Sequence, residues 1–218
     1  MEETGTEMRY NMQKKGVLTV ISGFSGVGKG TVVKQLVKRF EYALSISATT
    51  RQPREGEVDG REYFFKTREQ FLEMIRNHEL IEYAEYVDNF YGTPKAFVEQ
   101  MLERGRDVIL EIEMQGALHV REVMPQANLI FLAPPGANVL KERLEGRGTE
   151  SESVIEKRLK RAVEECAYLK DYDYVVVNDD LETCVLQIHQ LIQSLHCKKE
   201  EQQEFIGQMM KDFENFLK

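Results

Sequence analysis

The chain has 218 residues, which is enough for one large α/β domain with a short addition. It carries 29 Lys and Arg residues against 37 Asp and Glu residues, and the formal net charge of −8 argues against a protein that coats nucleic acid. The start is acidic and no apolar run could span a bilayer, so we expect neither a secretory signal nor a membrane segment. Three cysteines without a C-x-x-C pair favour reduced thiols in a cytoplasmic protein.

Apolar runs alternate with amphipathic segments along most of the chain. Buried strands are predicted at 17–21, 107–112, 128–132 and 174–177, where the runs are rich in β-branched residues. Helical spacing of apolar residues predicts helices at 31–40, 94–104, 116–124, 139–146 and 153–169. Strands that alternate with helices are typical of an α/β fold whose parallel core sheet is flanked by helices.

The stretch 45–93 breaks this alternation. Short strands are predicted at 43–47, 63–65 and 80–86, and Thr67-x-x-Gln70 has the pattern of a capping box at the start of a helix. We therefore expect an inserted β-rich lobe. The predicted organisation is a flexible N-terminus at 1–15, then a domain at 16–196 with its core at 16–44 and 94–196 and its lobe at 45–93.

The C-terminal segment 197–218 forms a separate amphipathic pattern. Phe205, Met209, Phe213 and Leu217 recur every four residues and would form one apolar stripe on a helix. We expect this stripe to pack on the protein's own body. A homodimer or partner complex formed through the same helix is the alternative.

A glycine-rich loop follows the first predicted strand. Gly23-Phe24-Ser25-Gly26-Val27-Gly28-Lys29-Gly30-Thr31 fits the pattern G-x4-G-K before an amphipathic helix. Backbone N–H groups of such a loop surround phosphate oxygens, and the lysine meets the β- and γ-phosphates. The hydroxyl that usually follows the lysine is displaced to Thr31, so we expect Mg²⁺ to be held mainly through the nucleotide and water, without dedicated protein ligands. The loop leaves ATPase, GTPase, small-molecule kinase and sulfotransferase open.

Two further clusters of charged residues lie outside this loop. Arg51 and Arg54 flank Pro53, and two guanidinium groups three residues apart can grip one phosphate as bidentate forks. Glu111 and Glu113 alternate at the end of a predicted strand, so both should point to the same side.

These motifs together resemble the guanylate kinase family, ATP:GMP phosphotransferases, from about residue 16 to about 195. The resemblance rests on S-x-T-T-R-x-P-R-x-G-E at 47–57, Tyr-Gly-Thr at 91–93, Glu-Ile-Glu-Met-Gln-Gly at 111–116, Ala-Pro-Pro at 133–135, Arg-Leu-Glu-Gly-Arg-Gly-Thr-Glu at 143–150 and Val-Asn-Asp-Asp at 177–180. It implies a P-loop kinase of three parts: a core, a GMP-binding lobe and a lid at about 141–161. The implied reaction moves the γ-phosphoryl group of ATP to GMP, and to dGMP.

The resemblance also implies roles for individual residues. Positions that hold the GMP phosphate match Ser47, Arg51, Arg54, Tyr63 and Tyr91, and positions that read guanine match Glu82, Thr93 and Glu113. Residues that surround the transferring phosphoryl group match Lys29, Arg51, Arg143, Arg147 and Arg158, and Asn178 matches a position near the donor adenine. A carboxylate that accepts from guanine rejects adenine, because adenine offers no donor at those edges.

Two other readings of the sequence remain at this point. Guanylate-kinase-like domains of scaffolding proteins bind partners without catalysis, but they have lost the phosphate loop that is intact here around Lys29. A kinase for another nucleoside monophosphate would share the core but lack the guanine-reading carboxylates. Phe24, where many family members carry Pro, is one of several departures, and none removes a charged group that the chemistry needs.

Overall fold

The computed structural model of the chain describes residues 15–86, 88–146 and 151–217. Its strands are β1 Leu18–Gly23, β2 Ala43–Leu44, β3 Ala48–Thr49, β4 Phe64–Phe65, β5 Leu80–Tyr86, β6 Asn89–Pro94, β7 Val108–Glu111, β8 Asn128–Ala133 and β9 Tyr174–Val177. Its helices are α1 Lys29–Arg39, α2 Arg68–Arg76, α3 Lys95–Glu103, α4 Met114–Val123, α5 Ala137–Glu145, α6 Glu152–Cys166, α7 Leu181–Leu195 and α8 Gln203–Phe216.

The core is a parallel five-stranded sheet in the order β2-β7-β1-β8-β9. Successive residues of β1 enter different hydrophobic clusters: Ile21 packs with residues of α1 and α7, and Val20 packs with residues of α3 and α4. The sheet is therefore covered on both faces, as near-continuous apolar strands require. This confirms the predicted α/β fold. Helix α7 was not among the predicted helices.

All core strands point the same way, so their carboxyl ends gather at one edge of the sheet. The phosphate loop leaves that edge after β1, and Glu111 is the last residue of β7. Ligands of open α/β sheets bind in the crevice outside this edge. The fold thus places the phosphate loop and the Glu111–Glu113 segment side by side.

The β-rich lobe contains a second sheet in the order β4-β3-β6-β5, in which β6 runs antiparallel to both of its neighbours. Helix α2 packs on this sheet through Phe71, whose ring stacks on Phe90 at 5.3 Å between centroids. The predicted capping box at Thr67 and Gln70 is present, with Gln70 N–H donating to Thr67 Oγ1 at 3.2 Å.

One prediction about the lobe was wrong, and one of its strands was missed. The single strand predicted at 43–47 is two short strands, because β2 pairs with β7 in the core sheet and β3 pairs with β4 and β6 in the lobe. Strand β6 was not predicted, since its sequence contains Asn, Gly and Pro and shows no alternating apolar pattern. Its extended form comes from pairing with two neighbours.

The C-terminal helix forms as predicted but does not pack as predicted. Helix α8 contains no buried residue, and Phe213 and Leu217 are 66% and 90% exposed. The expectation that the stripe packs on the protein's own body was therefore wrong. The apolar periodicity specifies a helix and one face, but it does not specify what covers that face.

Candidate active site

The phosphate loop joins β1 to α1 in a conformation that needs glycine. Gly26 and Gly28 have φ of 91° and 100°, a left-handed region that side chains disfavour. A Cβ on Gly23 would lie 2.4 Å from the carbonyl oxygen of Leu132, so only a glycine fits where the loop leaves the sheet. Phe24 and Val27 are buried beneath the loop and anchor it to the core. Gly30 and Thr31, in the first turn of α1, are exposed.

Lys29 is the first residue of α1 and lies over the loop. Its Nζ donates to the carbonyl oxygen of Gly23 at 2.7 Å and lies 3.4 Å from Oε1 of Glu113. The ammonium is largely shielded, with 11% of the side chain exposed, whereas Glu113 is 59% exposed. The lysine is thus positioned by the loop itself and by one flexible carboxylate.

Residues of the predicted lid and the residue that follows β9 contact the loop from the other side. Arg143 donates to the carbonyl oxygens of Val27 and Asp179, both at 3.4 Å, and Arg158 donates to Ser25 Oγ. The buried amide of Asn178 donates to Val27 O at 2.8 Å. Three predicted donor-side residues therefore contact the phosphate loop. Arg147 lies outside the described residues.

The predicted phosphate-binding arginine Arg51 sits against aromatic rings in the lobe. Its guanidinium carbon lies 5.3 Å from the ring centroid of Tyr63 and 5.8 Å from that of Phe65. Tyr63 in turn packs edge-on against Tyr91 at 6.0 Å. Burial raises the pKa of the Tyr63 hydroxyl, so it stays protonated and can donate to an anion.

Glu57, for which no role was predicted, holds Arg51 and the backbone of Arg54 in place. Its Oε1 accepts from Arg51 Nη2 at 2.9 Å, and its Oε2 accepts from the backbone N–H of Arg54 at 2.7 Å. The hydrogen bond to Arg51 holds the pKa of Glu57 below its usual range. The sequence signal for this role is the position of Glu57, three residues after Arg54 in a tight turn.

The two remaining phosphate-binding candidates lie at the edges of this cluster. The carbonyl oxygen of Ser47 accepts from the backbone N–H of Phe64 at 2.9 Å, which places Ser47 directly before β3. The side chain of Arg54 is exposed, while its backbone is tied to Glu57. Arg54 is therefore free to reorient toward a ligand.

A buried carboxylate lies where the lobe meets α4. Glu82 is 6% exposed, and its Oε1 accepts from Thr93 Oγ1 at 2.6 Å. Burial raises its pKa, an effect that the Thr93 hydrogen bond and the nearby His119 partly oppose. Glu82 and Thr93, both predicted guanine readers, are thus brought together.

Glu111 and Glu113 face the phosphate loop, as their alternation predicted. A Cβ placed on Gly30 would lie 3.4 Å from Oε1 of Glu111, and Glu113 contacts Lys29. Desolvation in the cleft raises the pKa of Glu111, and Lys29 lowers it. Glu113, the third predicted guanine reader, therefore contacts the donor-side lysine in this structure.

Neither a metal-binding cluster nor a membrane-spanning helix is present in the part of the chain that the structure describes. Within residues 15–86, 88–146 and 151–217, no three His, Cys, Asp or Glu side chains are grouped to hold a metal ion. Among the described helices, none is both long and apolar enough to cross a membrane.

A glycine-rich loop between a buried parallel strand and a helix, contacted by the side chains of Arg143 and Arg158, is typical of a P-loop kinase. The sequence model of the guanylate kinase family matches residues 15–195. The chain is 52% identical over 200 residues to the guanylate kinase of Bacillus anthracis, covering 90% of this chain and 97% of that protein. It is 54% identical over 182 residues to that of Clostridioides difficile (strain 630), covering 83% and 89%.

A solved structure agrees with these relatives. The crystal structure of guanylate kinase from Anaplasma phagocytophilum matches with a TM-score of 0.68 at 34% identity, covering 85% of this chain and 89% of that one. The chain belongs to the guanylate kinase family and is a nucleoside monophosphate kinase. The matched residues of the family model end at 195, before α8.

Proposed function

We propose that the chain transfers the γ-phosphoryl group of ATP to GMP, and to dGMP, giving ADP and the corresponding diphosphate. The observation that carries this proposal is the buried Glu82 carboxylate beside Thr93, in a lobe that also presents Arg51. Guanine N1–H and N2–H₂ are donors that a carboxylate pairs, whereas adenine leaves such a buried acceptor unpaired. The relatives at more than 50% identity that bear the name guanylate kinase support the same activity.

On the acceptor side, Arg51, Arg54 and the hydroxyls of Ser47, Tyr63 and Tyr91 would hold the GMP phosphate. Arg51 has its guanidinium fixed by Glu57 and by ring contacts, so little side-chain entropy is lost on binding. Glu82, Thr93 and Glu113 would read the base. For Glu113 this requires that it leave Lys29 when GMP binds.

On the donor side, the loop 23–31 would surround the ATP phosphates with backbone N–H groups. Lys29, Arg143, Arg147 and Arg158 would surround the charge that spreads over the transferring group. Asn178 would lie near the donor adenine while its amide holds the loop through Val27 O.

The cleft fits a Mg²⁺ ion that is held mainly through the nucleotide and water. Gly30 presents no side chain, and the Glu111 carboxylate lies beside it, where water-mediated contact to a hydrated cation is available. When bound, Mg²⁺ supplies neutralisation of the phosphate charge. The chain's own residues bind and orient the two nucleotides and exclude water from the cleft.

The proposed mechanism is an in-line attack by an oxygen of the GMP phosphate on the γ-phosphorus of ATP, while the bond from that phosphorus to the β,γ-bridging oxygen breaks and ADP leaves. The attacking oxygen is already ionised, so no side-chain base is needed. Closure of the lobe and the lid would expel water that would otherwise hydrolyse ATP.

Two assignments about the cellular form of the protein are also proposals. The free cysteines Cys166, Cys184 and Cys197 support a reducing compartment, for which we propose the cytoplasm. The exposed apolar face of α8 supports a homodimer formed through this helix.

A coupled assay of ADP formation with ATP and GMP, dGMP, AMP, CMP or UMP tests the function. We expect turnover with GMP and dGMP and almost none with the others, with a discrimination of about 10⁴ or more against AMP. Turnover of AMP, CMP or UMP at the GMP rate would favour the other kinase, and no turnover with any of them would favour the binding module.

A further inference from the structure

The first turn of α4 passes unusually close to the Glu82 carboxylate. An ideal Cβ on Gly116 would lie 2.8 Å from Oε2 of Glu82 and 3.3 Å from its Cδ, whereas ordinary contacts of a Cβ begin at 3.4 Å. Gly116 itself is buried, and its φ is not in the left-handed region. Close approach to Glu82, and not backbone conformation, is therefore what a side chain at this position would disturb.

The carboxylate has little room to yield. Its other oxygen, Oε1, accepts from Thr93 Oγ1 at 2.6 Å, and the side chain is almost fully buried. The backbone of Glu82 also lies close to β6, because a Cβ on Gly92, the residue that pairs with Tyr83, would lie 2.8 Å from Glu82 O. The carboxylate is thus held between the Thr93 hydroxyl on one side and the bare Cα of Gly116 on the other.

Helix stability does not account for glycine at this position. Alanine is a better helix former than glycine in a helix interior, and the neighbouring Ala117 is a buried residue of the same turn that does carry a methyl group. A glycine is required only where the backbone of α4 meets Glu82. The helix therefore keeps a destabilising glycine at 116 because a side chain there would displace the Glu82 carboxylate.

We propose that Gly116 is a specificity-determining positioning residue, whose missing side chain sets the place of the guanine-reading carboxylate of Glu82. This inference rests on the proposed function. A methyl group at 116 would push the carboxylate out of line with the base edge, and misplacement on this scale is costly in a preorganised site. The donor side would be unaffected, because the three atoms nearest to a Cβ at 116 belong to Glu82 and Ile112.

The first test is the variant Gly116→Ala, assayed with GMP, with ATP and with IMP, which lacks the 2-amino group of guanine. We expect the KM for GMP to rise by about tenfold or more, with the KM for ATP unchanged. The preference for GMP over IMP should fall by a similar factor. Gly207→Ala is the matched control, since Gly207 also lies within a helix and has open space where its Cβ would be. It should behave as wild type.

The second test is rescue by a shorter acid. Aspartate at 82 withdraws the carboxylate by one methylene, so adding Gly116→Ala to Glu82→Asp should change the KM for GMP by less than about threefold. An equal cost in both backgrounds, or a folded Gly116→Ala variant with the wild-type KM for GMP, would overturn the inference. If Gly116→Ala does not fold, Glu82→Asp should restore folding, and failure to do so also overturns it. Absence of GMP turnover in the wild type would instead defeat the proposed function.

Discussion

The ammonium of Lys29 lies 3.4 Å from the carboxylate of Glu113, which joins the ATP-binding loop to a residue proposed to read the base of GMP. Phosphate binding must replace this contact and the hydrogen bond from Lys29 to Gly23 O. Glu113 is 59% exposed, so the ion pair is screened and contributes little to stability. The contact is therefore one that the two substrates can break at small cost.

Lys29→Ala should abolish most turnover while the fold remains. The ammonium stabilises charge that develops in the transition state, and loss of one such group typically lowers kcat by about 10² to 10³. Lys34→Ala, an exposed lysine of the same helix, is the control and should retain activity. Steady-state kinetics and thermal melting measured together check this. Near-normal turnover in folded Lys29→Ala would exclude the phosphate-loop assignment.

Glu113→Gln should lower kcat/KM for GMP strongly. The KM for ATP should change much less. The amide presents a donor where guanine also presents donors, so the pairing is lost. Glu122→Gln, on the exposed face of the same helix α4, should change neither value. If the Glu113→Gln variant keeps its full preference for GMP over AMP, guanine is read by other groups.

Glu57→Gln should raise the KM for GMP several-fold and leave the KM for ATP unchanged. The variant weakens the hydrogen bonds that fix the Arg51 guanidinium and the backbone of Arg54. Glu62→Gln is a matched control, because Glu62 also pairs with an arginine of the lobe, Arg61. Equal effects of the two variants, or an equal rise in both Michaelis constants, would contradict a positioning role for Glu57.

The core sheet could be predicted from the sequence because its central strands β1, β7 and β8 are buried on both faces. The runs around Val20 and Ile130 are continuously apolar, so their local pattern is sufficient. Strand β6 could not be predicted in the same way, since Asn89, Gly92 and Pro94 favour turns locally and become extended only through pairing with β3 and β5. Helix α7, which was not predicted, does have a clear apolar period that includes Ile188 and Ile192, so its sequence is sufficient to predict it.

The candidate site also has parts that the sequence predicts and parts that it does not. The phosphate loop is one contiguous segment, and its glycines and Lys29 are recognisable because their roles depend on local conformation. The closeness of Gly116 to Glu82, by contrast, depends on how α4 packs against β5. Such long-range contacts are set by tertiary packing and leave no local pattern.

The buried carboxylate of Glu82 should make stability depend on pH. Burial raises its pKa, so the folded protein holds the proton more tightly than the unfolded chain. The resulting stability is complete below the ordinary pKa and is lost as the pH rises through the raised one. Glu82→Gln should therefore unfold at higher denaturant concentration than wild type at pH 7, and the difference should vanish near about pH 4.

Denaturant titrations of Glu82→Gln between acidic and neutral pH measure this difference. Glu85→Gln, an exposed acid of the same strand, is the control and should gain no stability at pH 7, because it loses an ion pair with Arg68. A stability difference that stays constant across the range would show that the charge on Glu82 is not its source. The kcat/KM of wild type for GMP should also decline as Glu82 becomes protonated.

At protein concentrations where the full chain is monomeric, removal of residues 203–218 should change the melting temperature by less than about 2 °C, because α8 contributes no buried residue to its own chain. Leu195→Ala, at the buried end of α7, should destabilise the protein by about 2–5 kcal/mol. Sedimentation velocity of the full chain and the truncated chain tests the homodimer. A mass that halves on truncation supports it, whereas a monomer in both cases contradicts it.

Direct transfer of a phosphoryl group from ATP to GMP is the claim on which the other assignments depend. The most direct measurement uses ATP labelled with ¹⁸O in the γ-phosphate, together with GMP and Mg²⁺, and follows the products by mass spectrometry. We predict that the label appears in the β-phosphate of GDP, with one labelled GDP for each ADP formed. Label that appears mainly in inorganic phosphate, or ADP formed without labelled GDP, would contradict the claim.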